Sequence, residues 1–72
     1  MFYTLMEIQI IDGAKAIVPP RIFDDRNEAL SALYTTLAAA VLSSIEYHAV
    51  LLITSDGAMM PQSAVYDRRE VA

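Results

Sequence analysis

From Ala29 to Ile45 the chain carries no charged residue, seventeen consecutive positions dominated by alanine and leucine. Leu30, Leu33, Tyr34, Leu37 and Val41 recur at helical spacing and form the stripe expected to lie on a sheet. A second stripe is made of small residues: Ala29, Ala32, Thr36, Ala39 or Ala40, and Ser43. A membrane span needs about 20 predominantly apolar residues flanked by basic ones. This run is shorter, contains Ser31, Thr35, Thr36, Ser43 and Ser44, and has no lysine or arginine close to its C-terminal end. The remaining reading is a helix covered on two sides, by its own sheet and by a second helix that the small residues allow to approach closely.

The flanking residues set the helix start. Asp25 and Glu28 have the spacing of a capping box, in which each side chain satisfies an otherwise free backbone N–H. Upstream, Phe2 to Ile11 is rich in β-branched, aromatic and aliphatic residues, with Phe2, Thr4, Met6, Ile8 and Ile10 on one face and Tyr3, Leu5, Glu7, Gln9 and Ile11 on the other. Asp12-Gly13 suits a type I′ hairpin turn, whose central positions both need positive φ. Ala14 to Val18 returns as a second strand, which Pro19-Pro20 should end because proline cannot donate to a ladder. Downstream, Tyr47 to Thr54 (YHAVLLIT) has no alternation to polar residues and reads as a central strand. Ser55-Asp56-Gly57 turns the chain, and Met59 to Tyr66 makes a fourth strand in which Pro61 enforces an edge or a bulge. The polar tail, Asp67 to Ala72, is expected to fray. The two Asp-Gly-Ala turns, at residues 12–14 and 56–58, echo one another, but such turns are common enough for chance to explain them.

The expectation is thus one α+β domain over residues 1–72, in ββαββ order, with one helix packed on a short antiparallel sheet. A domain of this size buries only roughly 60% of the surface its unfolded chain exposes, so a further source of stability is expected. The absence of cysteine removes disulfides and cysteine zinc sites, and the single histidine, His48, removes a histidine-rich metal centre. No metal or cofactor is expected. Self-association remains, as a homodimer or a higher even oligomer through the small-residue stripe, and a mean hydropathy of +0.38 agrees with it. The formal net charge of −4 opposes general nucleic-acid binding. The N-terminus has no basic segment before its apolar residues, so no signal peptide is expected and the protein is placed in the cytoplasm.

No nucleophile elbow, phosphate-binding glycine loop or zinc-protease motif occurs. The small oligomeric tautomerases work at this length with a proline exposed after methionine removal, and that position is Phe2 here. His48 is the only side chain that titrates near neutrality without perturbation, and its ordinary reading is a hydrogen-bonded strand histidine. The chain is therefore expected not to be an enzyme. The most suggestive group is Arg68 and Arg69 beside Tyr66, because guanidinium forks match phosphate geometry and an aromatic face stacks on a base. Its bland alternative is a solvated end neutralised by Asp67 and Glu70. Tyr47 and His48 could wall such a site. Arg26 could reach it from another subunit, and Arg21 and Arg26 could instead pair with Asp24, Asp25 and Glu28.

The segments Met6-Glu7-Ile8-Gln9, Asp24-Asp25-Arg26-Asn27-Glu28-Ala29-Leu30, Tyr47-His48-Ala49 and Tyr66-Asp67-Arg68-Arg69 together resemble small proteins of unassigned function carried by phages and prophages of Firmicutes. The resemblance covers most of the chain and implies a setting: such proteins often blunt host defences by occupying a host protein or by sequestering a nucleotide signal. The expected function is capture of a small anionic, nucleotide-like ligand at a subunit boundary. The alternatives are an acidic inhibitor docking on a host defence protein, and a structural or assembly subunit of a phage particle.

Overall fold

The computed structural model describes residues 1–68, and the tail from residue 69 onward, including Arg69, lies outside the described residues. The chain runs β1 (Tyr3–Ile11), β2 (Ala14–Phe23), α1 (Arg26–Leu42), β3 (Tyr47–Thr54) and β4 (Ala64–Asp67). The strands form one antiparallel sheet in the order β2-β1-β3-β4, with β3 central as its unbroken apolar run requires. The ββαββ, α+β architecture is as the sequence implies.

The β1–β2 turn has the expected chemistry: Ile11 pairs with Ala14, and Asp12 and Gly13 between them take φ of 51° and 79°. β2, however, does not stop at Pro19-Pro20. It continues to Phe23, because β2 is an edge strand and because both prolines face a single residue, Met6, across a β-bulge between the Leu5–Arg21 and Glu7–Val18 pairs. An edge needs no outward ladder donor and a bulge relieves the inward one, so neither proline breaks the strand. The fourth strand is shorter than expected. Met59 makes only an isolated bridge to Ile53, and the Met60–Ser63 turn at Pro61, closed by the Ser63 N–H to the Met60 carbonyl at 3.0 Å, delays β4 until Ala64. Where main-chain pairing is interrupted the Ser63 hydroxyl substitutes for it, accepting the Leu52 N–H at 2.9 Å.

Helix α1 starts at the predicted cap. The Asp25 carboxylate accepts the Asn27 N–H at 3.4 Å, and the Asp25 carbonyl accepts the Ala29 N–H at 3.0 Å. The packed face differs from the expected one. Ala29, Leu33, Thr36 and Ala40 are buried against the sheet, flanked by half-buried Leu30, Ala32 and Leu37, whereas Tyr34 and Val41 are 52% and 55% exposed. The small-residue stripe assigned to a partner helix therefore lies largely on the helix's own sheet. Ala29 and Ala40, one toward each end of the helix, let its axis sit close to Tyr3, Leu5, Val50 and Leu52, which with Met60 complete the core.

Truncating Leu33→Ala should lower stability by about 2–5 kcal/mol, whereas Tyr34→Ala should cost less than about 1 kcal/mol. Ala40→Leu should destabilise by about 1–3 kcal/mol through overpacking. Urea unfolding of the three variants checks the assignment, and a neutral Ala40→Leu would mean that the small stripe does not face the sheet.

Candidate functional site

Antiparallel pairing carries side chains of facing residues to the same side of a sheet, so the register sorts the expected site residues into faces. Gln9, His48 and Tyr66 form one row on the side that α1 covers. Tyr47, one residue earlier, points to the opposite face in a row with Ile10 and Asp67. Arg26 opens α1, whereas Arg68 sits at the other end of the same helix, roughly 20 Å away at 1.5 Å per residue. Tyr66, His48 and Arg68 are thus brought to one region, Tyr47 and Arg26 are separated from it within the chain, and Arg69 is outside the described residues.

Arg68 is already engaged. Its Nη2 donates to the Ala40 carbonyl at 2.7 Å and the Val41 carbonyl at 3.4 Å, its Nη1 donates to the Ile45 carbonyl at 3.1 Å, and its guanidinium lies 5.4 Å from the Tyr66 ring centroid. The last carbonyls of a helix have no intrahelical partners and carry partial negative charge, and α1 has no basic residue in its last turn. A cation just past the end of β4 supplies both the donors and the charge. Arg21 is similarly placed, donating from Nη2 to the Thr36 hydroxyl at 3.4 Å with its guanidinium 5.8 Å from the Phe23 ring centroid.

His48 is buried under the helix. Its Nε2 lies 3.7 Å from Glu7 Oε2 and 3.5 Å from Gln9 Nε2, with the His48 and Glu7 side chains only 7% and 18% exposed. Among the described residues Nδ1 has no hydrogen-bond partner. This polar group was partly legible, since Glu7 and Gln9 alternate with the apolar even-numbered residues of β1, but the contact with His48 depends on the β1–β3 register.

Two concavities stand out among the described residues. A depression of about 310 Å³ between the β1–β2 turn and the α1–β3 loop is lined by Ile11, Asp12, Ser44, Ile45 and Glu46, with the Glu46 carboxylate accepting the Gly13 N–H at 2.7 Å. Its two carboxylates repel an anion. A second, of about 140 Å³, lies among Leu5, Glu7, Val18, Pro19 and Arg21, below the usual size of a small-molecule site. Among the described residues no three His, Cys, Asp or Glu side chains converge on a metal position, and no helix is long and apolar enough to cross a membrane.

Charge is concentrated elsewhere. Phe23, Tyr3 and Thr54 form one row at an end of the sheet, and the chain just beyond it carries exposed Asp24, Asp25 and Glu28 on one side and Asp56 on the other. The Thr54 hydroxyl, helped by the Ala58 backbone, holds the Asp56 carboxyl below its usual range. Arg26 is the basic residue among these carboxylates. Compared with family models, with curated proteins and with solved structures, the chain gives no match.

Replacing Arg68 by alanine should lower stability by about 1–2 kcal/mol, a range discounted for its exposure, because three carbonyls lose a charged donor. Lysine should restore less than half, since an ammonium cannot fork between the helix end and the following loop. An unchanged urea midpoint for Arg68→Ala would show that the helix terminus does not depend on it.

Proposed function

We propose that the chain is a non-enzymatic binding protein which docks its acidic end on a basic surface of another protein and blocks it, the reading ranked second from sequence alone. The resemblance to phage proteins supplies the setting, with a host defence protein as the target in the cytoplasm of an infected cell. The observation that carries the proposal is how the charges are used. Two guanidiniums that could hold an anion, Arg68 and Arg21, are engaged within the fold by helix carbonyls and by Thr36 and Phe23, while Asp24 and Glu28, beside the helix cap Asp25 and the Thr54-bonded Asp56, put exposed carboxylates at one end. Complementary fields of this kind set association rate and partner choice. His48, enclosed by the helix and Glu7, has little room to meet a substrate, which supports a non-catalytic role.

The rival reading, sequestration of a nucleotide-like anion, requires Arg68 to leave the helix carbonyls or a second subunit to bring Arg26 to it. Calorimetric titration against a panel of cyclic and linear nucleotides should give no binding tighter than about 100 µM. A host protein captured by the wild type should be bound about tenfold more weakly by the Asp24→Asn/Glu28→Gln variant, with the difference shrinking at high salt. Micromolar nucleotide binding that Arg68→Ala abolishes would return the case to sequestration.

A further inference from the structure

We infer that the side of the sheet opposite α1 is buried against the same side of a second copy of the chain, around a two-fold axis parallel to the strands. This goes beyond the docking reading and does not rest on it. One helix covers one side of the sheet, and pairing fixes what the other side carries, row by row. The first row is Ile22, Thr4, Ile53 and Met59; the next holds Met6 and Leu51; the third is Ile17, Ile8, Ala49 and Val65; the last is Lys15, Ile10, Tyr47 and Asp67. Three rows contain no charge, and Ile17, Ile22 and Met59 are each more than 60% exposed. The side under the helix carries Glu7, Gln9, Arg21 and His48 instead. The uncovered side is therefore the more apolar of the two, the reverse of what a sheet with one solvated face shows.

A second copy fits this face on two counts. Its extent is sufficient: three strands of eight to ten residues and a fourth of four, at about 3.3 Å per residue and about 4.8 Å apart, give roughly 500 Å² per copy, so a pair reaches the roughly 1,000 Å² that a specific interface must clear. Its charges are self-complementary: the last row has Lys15 at the β2 edge and Asp67 at the β4 edge, and a two-fold axis along the strands exchanges the edges while keeping the row, which sets Lys15 of each copy against Asp67 of the other. Addition of a strand at the β2 edge is opposed by Pro19 and Pro20. Sheets stacked face to face with nearly aligned strands are a standard packing.

The test is the mass and dissociation constant of the full chain by sedimentation equilibrium. The wild type should have twice the 7.9 kDa chain mass at concentrations on the order of 10 µM. Ile17→Glu, at a position 66% exposed and outside the core, should weaken association at least a hundredfold while circular dichroism stays unchanged. Lys15→Glu alone and Asp67→Lys alone should each weaken it about tenfold at low salt, and the two together should recover wild-type affinity to within about threefold. A monomeric wild type overturns the proposal, as does a dimer indifferent to Ile17→Glu. A double charge exchange no better than the single ones overturns the axis and the proposal with it.

Discussion

A helix of seventeen residues is about 25 Å long and about 10 Å wide, whereas the sheet beneath it is four strands across. One such helix covers one side of the sheet and no more, and the rest of the molecule is organised around that shortage of cover. On the covered side the chain economises on volume: Ala29, Thr36 and Ala40 bring the backbone of α1 down onto Tyr3, Leu5, Val50 and Leu52, so that Leu33 alone supplies a large side chain at the centre. Further along, the same side tolerates Glu7, Gln9 and His48, which meet one another under the second half of the helix. The apolar residues that a domain of this size would normally place inside stand on the other side.

The closing of the fold rests on a contact between its last strand and its helix. β4 has only four residues, and its approach is interrupted at Pro61, so main-chain pairing alone holds it weakly. Arg68 compensates by tying the end of β4 to the carbonyls of Ala40, Val41 and Ile45, and its own N–H donates to the Glu46 carbonyl at 2.7 Å. One side chain thus completes the helix terminus, fixes the α1–β3 loop and anchors the strand. The same engagement lowers its availability to an external phosphate, because an anion there competes with three acceptors already in place.

The parts of this structure that were legible in the sequence are those decided within a few residues. Asp12-Gly13 determines a type I′ turn by its own backbone preferences, Asp25 caps the helix that follows it, and YHAVLLIT has the composition of a strand with neighbours on both sides. The misread parts were decided by tertiary context. Pro19-Pro20 is a strand breaker in isolation and becomes tolerable only because β2 is an edge and Met6 stands opposite the pair in a bulge. The leucine and alanine stripes of α1 have equally good helical spacing, and the choice between them depends on how close the sheet lets the helix come. Arg68 reads as a loose cation in a polar tail until the helix C-terminus, 26 residues earlier in the chain, is placed beside it.

The proposed axis also bears on how the acidic end would work. A two-fold axis parallel to the strands keeps the ends of the sheet in register, so both copies direct Asp24, Asp25, Glu28 and Asp56 the same way. The Lys15 and Asp67 pairs then sit at the far end, where they set the alignment without neutralising these carboxylates. Two acidic ends side by side repel one another, a cost that falls with ionic strength and that the apolar rows between the sheets must exceed. In return, a basic surface meets two matching contacts held at a fixed spacing, and the second contact forms as an intramolecular event at high effective concentration. Disrupting the sheet face would therefore weaken docking even though no residue of that face touches the partner, and neutralising the acidic end would leave dimerisation intact or strengthen it.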